Sequence, residues 1–217
     1  MASIQPKTEI KATAMDPKTT QQTKTGVGVG VGADAGYLEL IFGPMYSGKT
    51  SKLLDLYKQF CFCNIPTTVI NYNEDTRYST TMLSTHDKAM IPCVHAHLLR
   101  EVDVSAAKVI LINEGQFFAD IVPWVKEAVE VQNKHVYICG LDGDFQRQAF
   151  SSHWLDLVPF CDNIVKLRSF CSQCKTHHAL FSHRLSSEAE QIVIGSSNYV
   201  PLCRSCYVTA TAATANV

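Results

Sequence analysis

The strongest chemical signal in the sequence is a glycine-rich loop at residues 43–50. Its residues match the pattern GxxxxGK[ST] throughout and are Gly43, Pro44, Met45, Tyr46, Ser47, Gly48, Lys49 and Thr50. In loops of this kind the backbone N–H groups face phosphate oxygens, the lysine reaches the β- and γ-phosphates, and the final hydroxyl ligates Mg²⁺. The match predicts binding of a nucleoside triphosphate, but it does not choose between GTPases, ATPases and kinases.

A carboxylate follows a second apolar segment. Residues 109–112 (VILI) indicate a buried strand, and Asn113 and Glu114 come directly after it. Ligands of open α/β sheets bind at the carboxyl ends of the strands, where Glu114 could accept the proton of an attacking hydroxyl. The pattern alone leaves open whether Glu114 is a base or a solvated residue at a strand end.

Two CxxC pairs near the C-terminus predict a metal site. The pairs are Cys171/Cys174 and Cys203/Cys206. Four thiolates so arranged can bind one tetrahedral Zn²⁺ in a closed, structural site. Disulfides and free thiols are the alternatives, and three nearby histidines could replace a cysteine: His177, His178 and His183. The odd total of nine cysteines argues against a secreted disulfide scaffold and favours a reducing compartment.

The segments before the cysteine pairs alternate between strand and helix patterns. Apolar or β-branched runs predict strands at 38–42, 68–72, 109–112 and 136–141, and helical spacing predicts helices at 50–61 and 121–131. This alternation predicts the α/β class, with a parallel sheet covered by helices on both faces. After about residue 167 the alternation stops, which indicates a second, small lobe.

Composition describes the two ends of the chain and excludes some classes of protein. Residues 1–36 predict a disordered extension, and residues 208–217 predict a flexible tail. The net charge of −1 gives no basic field for nucleic acid or a membrane surface. No apolar run approaches the roughly 20 residues of a membrane helix, and no secretory signal is recognisable. A mitochondrial transit peptide is disfavoured because the extension lacks Arg and contains Glu9 and Asp16.

The order of the motifs resembles that of a known family. The motifs are GPMYSGKT (43–50), EDTRY (74–78), THD (85–87), NEGQFF (113–118), LDGDFQR (141–147) and the two CxxC pairs. Across residues 37–207 they resemble the thymidine kinase family of the cytosolic cellular and poxvirus type. The resemblance implies a RecA-like P-loop domain at 37–167 and a zinc-binding lobe at 168–207, which carries a lasso loop that closes over thymidine. It also implies ATP-dependent phosphorylation of the 5′-hydroxyl of thymidine, and of deoxyuridine, in DNA precursor salvage.

The resemblance assigns roles to individual residues. Glu114 matches the general base. The residues that match the ATP- and Mg²⁺-binding set are Gly43, Pro44, Met45, Tyr46, Ser47, Gly48, Lys49, Thr50, Asp75, Thr76, Arg77, Asn113, Gly115 and Gln116. The residues that match the thymidine pocket and its lasso are Met45, Phe117, Leu141, Phe145, Phe150, Ser182, Gln191, Ile192, Val193, Ile194, Gly195 and Tyr199. The zinc ligands are Cys171, Cys174, Cys203 and Cys206.

Cofactors and partners are implied in the same way. The family uses Mg²⁺ with ATP and a structural Zn²⁺. It is usually a homotetramer, and thymidine triphosphate inhibits it as the end product. The resemblance and the cysteine usage together imply a cytoplasmic location, with neither nucleic acid nor a membrane as partner.

The sequence departs from the family pattern at several positions. Asn113 stands where the family commonly has Asp, which removes a negative charge near Mg²⁺ but keeps an oxygen acceptor. Asp144 replaces a Thr in the usual LDGTFQR run, and Ala149 replaces a Pro. The lasso is one residue shorter, with Gly195 and Ser196 where two glycines are usual. We expect weaker Mg²⁺ binding and an altered pocket shape, with the reaction retained.

Three other hypotheses were considered. A catalytically impaired member of the family is motivated by Asn113. A zinc-ribbon nucleic-acid-binding protein would need a basic patch near the cysteines, where the cations are few and interspersed, and it leaves the phosphate loop unexplained. A kinase for another nucleoside, such as deoxycytidine, is disfavoured because the other deoxynucleoside kinases lack this zinc lobe and lasso.

Overall fold

The computed structural model describes residues 35–73, 82–84, 89–193 and 198–214, with side chains described as far as residue 212. Several sequence features lie outside these ranges. They are most of the N-terminal extension, the EDTRY motif with Asp75, Thr76 and Arg77, the THD motif, and the lasso residues Ile194 and Gly195.

Twelve strands and three α-helices make up the regular structure of the described residues. The strands are β1 Tyr37–Phe42, β2 Thr67–Tyr72, β3 Met82–Ser84, β4 Met90–Pro92, β5 Val94–Ala96, β6 Val109–Ile112, β7 His135–Gly140, β8 Asn163–Lys166, β9 Ser169–Phe170, β10 His178–Ala179, β11 Phe181–Arg184 and β12 Tyr199–Leu202. The α-helices are α1 Lys49–Phe62, α2 Ile121–Glu130 and α3 Arg204–Thr214, and short 3₁₀ helices span Leu99–Glu101, Gly115–Phe117 and Trp154–Phe160.

A parallel sheet of six strands is the framework of the molecule. Its order is β5-β2-β6-β7-β1-β8, and every neighbouring pair is parallel. The phosphate-loop strand β1 lies beside β7, and the VILI strand β6 lies on the other side of β7. Because the carboxyl ends of parallel strands meet at one edge, the loops that follow these strands converge there. The predicted α/β class is confirmed.

Alternation along the strands produces two cores, one on each face of the sheet. Val109 and Leu111 of β6 pack with the α1 residues, whereas Ile110 and Ile112 pack with the α2 residues. All four side chains are fully buried. Burial on both faces explains why β6 has a continuous apolar sequence.

The cysteine lobe follows directly after the last strand of the main sheet. Strands β9 and β10 form one antiparallel pair, and β11 and β12 form another. Its small core contains Cys171, Cys203, Ala179, Leu202 and Tyr207. The described residues from Ala35 onward belong to one compact unit, so this lobe is continuous with the main sheet.

The structure differs from the sequence prediction in the main sheet and in the C-terminal tail, and it adds the short strands β3, β4 and β9 to β12. The prediction missed β5 and β8, which are three- and four-residue strands with few buried side chains at opposite edges of the sheet. It also placed a flexible tail at 208–217, and this is corrected as far as Thr214 because helix α3 continues to that residue. Alanine favours a helix there, and Tyr207 and Ala210 pack into the lobe.

Candidate active site

The phosphate loop is a turn between β1 and α1 in which glycine is required at two positions. Gly48 has a φ of +85° and a ψ of 19°, a left-handed conformation that side chains disfavour. A Cβ on Gly43 would lie 2.5 Å from the carbonyl oxygen of Leu167. The first requirement concerns backbone conformation and the second concerns space.

Hydrogen-bond donors are concentrated at this turn. Lys49 Nζ donates to the carbonyl oxygens of Gly43 at 3.1 Å and Pro44 at 2.8 Å, so the side chain crosses its own loop. Ser47 Oγ is buried without a hydrogen-bond partner among the described residues. Helix α1 has no side-chain N-cap and no acidic residue in its first turn. A helix N-terminus of this kind suits an anion such as phosphate.

The cysteine lobe supports the phosphate loop directly. Met45 N donates to Ser182 Oγ on β11 at 2.9 Å, and Ser169 Oγ donates to the Tyr46 carbonyl at 3.0 Å. Ser182 belongs to the set predicted for the thymidine pocket, and its hydroxyl also accepts this hydrogen bond from the phosphate loop. Ser169 could not be predicted from the sequence, because its hydrogen bond depends on tertiary structure.

Glu114, the predicted base, lies just after the end of β6 and is held in place by a neighbouring side chain. Glu114 has a φ of +55° and a ψ of 45°, a left-handed conformation that is uncommon for residues other than glycine. Gln116 Nε2 donates to Glu114 Oε2 at 2.7 Å, and Leu141 N donates to Gln116 Oε1 at 3.0 Å. Gln116 is buried, so it lies behind the carboxylate rather than on a ligand surface.

Asn113 belongs to a buried polar chain. Its Nδ2 donates to Asn71 Oδ1 at 2.8 Å, and Asn71 Nδ2 lies 3.2 Å from His95 Nε2. Asn113 is 3% exposed and Asn71 is 1% exposed. The sequence analysis missed Asn71, which comes from β2 and meets Asn113 because β2 and β6 are neighbours in the sheet.

One cavity of about 440 Å³ brings the predicted groups together. The predicted residues that line it are Met45, Tyr46, Ser47, Gly48, Lys49, Thr50, Asn113, Glu114, Phe117, Leu141, Phe145, Phe150, Ser182, Gln191, Ile192, Val193 and Tyr199. Of the predicted residues that the structure describes, those that do not line it are Gly43, Pro44, Gly115 and Gln116. The lining residues that the sequence analysis did not select as site residues are Ser51, Asn71, Tyr72, Met82, Leu83, Ser84, Gly143 and Asp144.

Several aromatic rings line the cavity. Phe117 and Phe150 meet edge to face at 5.9 Å, and Tyr72 lies 5.3 Å from Phe117. The Arg184 guanidinium lies 3.8 Å from the centre of the Phe145 ring. Such surfaces suit a flat, partly apolar ligand such as a nucleobase.

Arg184 organises the loop between β11 and β12. Its guanidinium donates to the carbonyl oxygens of Glu188, Glu190 and Gln191 and to the Tyr199 hydroxyl. Tyr199 in turn donates to the Val193 carbonyl at 3.1 Å. Arg184 is 4% exposed, and its fixed fork of donors can satisfy several acceptors at once. In the sequence it is one of several scattered cations.

The four cysteines form a cluster that fits zinc. Their sulfur atoms all lie within 4.8 Å of one another, and Cys174 Sγ is 3.9 Å from Cys203 Sγ. A tetrahedral site with Zn–S bonds of about 2.3 Å places sulfurs about 3.8 Å apart. Burial opposes ionisation of Cys171, but hydrogen bonds from backbone groups at Cys203 and Cys174 outweigh it and lower its pKa to about 6. The hydrogen bond with Cys203 raises the pKa of Cys206 instead, so it is the geometry of the four sulfur atoms that fits the predicted ligand set.

Comparison with known proteins relates this site to one family. A family model described as thymidine kinase matches residues 36–207. The chain is 39% identical over 179 residues to the cytosolic thymidine kinase of Gallus gallus, covering 81% of this chain and 79% of that protein. It is 41% identical over 175 residues to the cytosolic thymidine kinase of Homo sapiens, covering 79% and 73%. It is 38% identical over 178 residues to the thymidine kinase of Vaccinia virus (strain Western Reserve), covering 81% and 98%.

Proposed function

The chain belongs to the thymidine kinase family, and from this premise we propose that it phosphorylates the 5′-hydroxyl of thymidine with ATP as the phosphoryl donor. The observation that carries the proposal is the single cavity shared by the phosphate loop, Glu114 and the aromatic rings. Phosphoryl transfer requires the two substrates to be held in line, and a joint cavity meets that requirement.

The phosphate loop binds the triphosphate in this proposal. Its backbone N–H groups, Ser47 Oγ and Lys49 Nζ donate to phosphate oxygens. To do so, Lys49 leaves the carbonyl oxygens of Gly43 and Pro44, to which it donates in this structure. The residues that would hold Mg²⁺ are Thr50, through its hydroxyl, and Asn113, through its side-chain oxygen. The metal supplies positive charge against the charge that develops during transfer. Asp75, Thr76 and Arg77 keep their proposed place near the phosphates, and they lie outside the described residues.

Glu114 is the proposed general base. Its carboxylate accepts the proton of the 5′-hydroxyl as that oxygen attacks the γ-phosphorus, while the bond between the γ-phosphorus and the β,γ-bridging oxygen breaks and ADP leaves. The base of thymidine lies against the rings of Phe117, Phe150 and Phe145, which supply apolar surface. The loop between β11 and β12 closes the cavity through Gln191, Ile192 and Val193, with Tyr199 holding its main chain.

The remaining properties are proposals from the family. We propose a structural Zn²⁺ at the four cysteines, a homotetramer, and inhibition by thymidine triphosphate. We propose a cytosolic location because the Gallus gallus and Homo sapiens relatives are named cytosolic. Within the part of the chain that the structure describes, the helices lack the length and apolar character needed to cross a membrane. The division into a P-loop domain at 37–167 and a zinc lobe at 168–207 also remains a proposal.

A substrate panel tests the function. The full chain is incubated with ATP and Mg²⁺ and with each of thymidine, deoxycytidine, deoxyadenosine and deoxyguanosine, and the monophosphate products are measured. We expect thymidine monophosphate, and a loss of about 10²- to 10⁴-fold in kcat for Glu114→Gln. A product from a different nucleoside would contradict the specificity. Full activity of Glu114→Gln would contradict the assignment of the base, and slow turnover of thymidine by the wild-type protein would indicate an impaired enzyme.

A further inference from the structure

Asp144 is a buried carboxylate whose two oxygens have different partners. The residue is 7% exposed and lines the cavity. Asp144 Oδ1 accepts hydrogen bonds from the backbone N–H groups of Gln146 and Gln148, each at 2.8 Å. These two bonds fix the carboxylate within its own loop and direct Oδ2 elsewhere.

The second oxygen binds a residue far away in sequence. Gln191 Nε2 donates to Asp144 Oδ2 at 2.8 Å and to the Ala149 carbonyl at 3.0 Å. Because the same nitrogen faces two acceptors, the orientation of the Gln191 amide is determined by its partners. Reversing the amide would place its oxygen against both of them.

This contact joins two walls of the cavity. Gln191 lies in the loop between β11 and β12, and Asp144 and Ala149 lie in the loop after β7. Among the described residues 185–193, the other hydrogen bonds stay within residues 184–199. Gln191 therefore supplies the hydrogen bonds that connect its loop to the facing wall, next to the lining residues Ile192 and Val193.

We propose that Asp144 and Gln191 form a clasp that orders this loop over the nucleoside pocket and thereby sets the affinity for thymidine. The proposal rests on the proposed function for its substrate. A loop that is already held in place loses less conformational freedom when the nucleoside binds. A carboxylate suits this role because its two oxygens serve the two sets of donors at once. A threonine hydroxyl, which the family pattern has at this position, offers a single oxygen. Asp144 and Gln191 are positioning residues in this account.

Steady-state kinetics of the full chain test the clasp. Asp144→Asn places the NH₂ group of the new Asn against the NH₂ group of Gln191, and Gln191→Leu removes the donor to Asp144 Oδ2. We expect either variant to raise KM for thymidine about tenfold, while kcat and KM for ATP change less than about twofold, because a charge-assisted hydrogen bond is lost without a change in the reacting groups. Glu190→Gln, which neutralises a carboxylate on the same loop outside the clasp, is the matched control and should keep the wild-type KM for thymidine.

The swapped pair distinguishes positioning from a general loss of structure. In Asp144→Asn combined with Gln191→Glu, the Asn oxygen still accepts from Gln146 and Gln148, and its NH₂ group donates to the new carboxylate. We expect KM for thymidine to be lower in this double variant than in either single variant, though still above the wild-type value. If the two residues had a purely structural role, the single variants would have a lower kcat, a higher KM for ATP and a lower Tm, and the double variant would not restore them. That result would overturn the proposal.

A measurement without nucleoside separates this proposal from the proposed function. Glu188 and Glu190 are cleavage sites for a glutamate-specific protease in the clasped loop. We expect cleavage there to be faster in Asp144→Asn than in the wild-type protein. If the wild-type protein did not phosphorylate thymidine but the cleavage rates differed, the function would fail and the clasp would stand. Equal cleavage rates together with an unchanged thymidine KM would refute the clasp.

Discussion

The side chain of Gln116 connects the proposed base to the end of the neighbouring strand β7: its Nε2 donates to Glu114 Oε2 at 2.7 Å, and its Oε1 accepts from Leu141 N at 3.0 Å. Its main-chain carbonyl accepts from Ser152 Oγ at 2.8 Å. With three fixed contacts, the buried Gln116 holds the carboxylate at one position. Glu114 also has a left-handed backbone, so its placement depends on this support.

Removal of the Gln116 amide should therefore lower the rate of the chemical step. In Gln116→Met the buried volume is nearly kept, but the Glu114 carboxylate loses the hydrogen bond from the Gln116 amide. We expect kcat to fall about tenfold, because misplacing a general base costs rate through geometry. KM for ATP should stay within about twofold, since the phosphate loop is untouched. Initial rates at saturating thymidine measure the effect.

A double variant shows whether the two residues act together. If Gln116 acts through Glu114, adding Gln116→Met to Glu114→Gln should cost little further rate, because residues that act as a unit are not additive. If the loss in kcat of the double variant equalled the product of the two single losses, Gln116 would not act through Glu114, and its positioning role would be contradicted.

Asn113 is the residue of the proposed Mg²⁺ site at which the sequence departs from the family pattern, so we expect it to affect how tightly the metal binds. The residue contributes a neutral oxygen, and its amide nitrogen is used by Asn71. We expect Asn113→Asp to lower the Mg²⁺ concentration that gives the half-maximal rate, because a carboxylate is the stronger ligand for this cation. Without Mg²⁺ the variant should have a lower Tm than the wild-type protein, since a buried carboxylate is costly. Added Mg²⁺ should reduce that difference. A half-maximal Mg²⁺ concentration that does not fall would show that this account of the metal site is wrong.

The fold and the core of the site could be predicted because their signals are local. The strands and helices around the phosphate loop were expected within a few residues of their observed bounds, and VILI was predicted without error. The supporting residues could not be predicted in this way. Asn71, Ser169 and Arg184 act through partners that only the folded chain brings near, and hydrogen bonds of this kind leave no periodic pattern in a sequence.

The two glycines of the phosphate loop should respond differently to alanine. Gly48→Ala meets no atom within 4 Å but keeps a positive φ, so we expect it to cost about 1–2 kcal/mol of stability. Gly43→Ala forces a Cβ to within 2.5 Å of a main-chain oxygen, so the loop itself must shift. We expect Gly43→Ala to raise KM for ATP at least about tenfold and Gly48→Ala to raise it less. Thermal melting and ATP kinetics of both variants give the comparison, and a larger KM effect for Gly48→Ala would contradict it.

Tyr207 connects the core of the cysteine lobe to Phe145, which lines the cavity. It follows Cys206 on α3, is 2% exposed, and its hydroxyl donates to the Phe145 carbonyl. Tyr207→Phe keeps the ring contacts with Phe181 and His183 but leaves that carbonyl without its donor.

We expect Tyr207→Phe to raise KM for thymidine roughly three- to tenfold, with bound zinc and KM for ATP unchanged, because a lost neutral hydrogen bond costs about 0.5–1.5 kcal/mol. Cys206→Ser should lose the metal as well, and it should lower the Tm together with the affinity for thymidine, since a structural zinc contributes to folding. Metal content, melting curves and kinetics of the two variants separate these effects. Wild-type KM for thymidine in a zinc-depleted but folded protein would exclude any coupling between the cysteine cluster and the pocket.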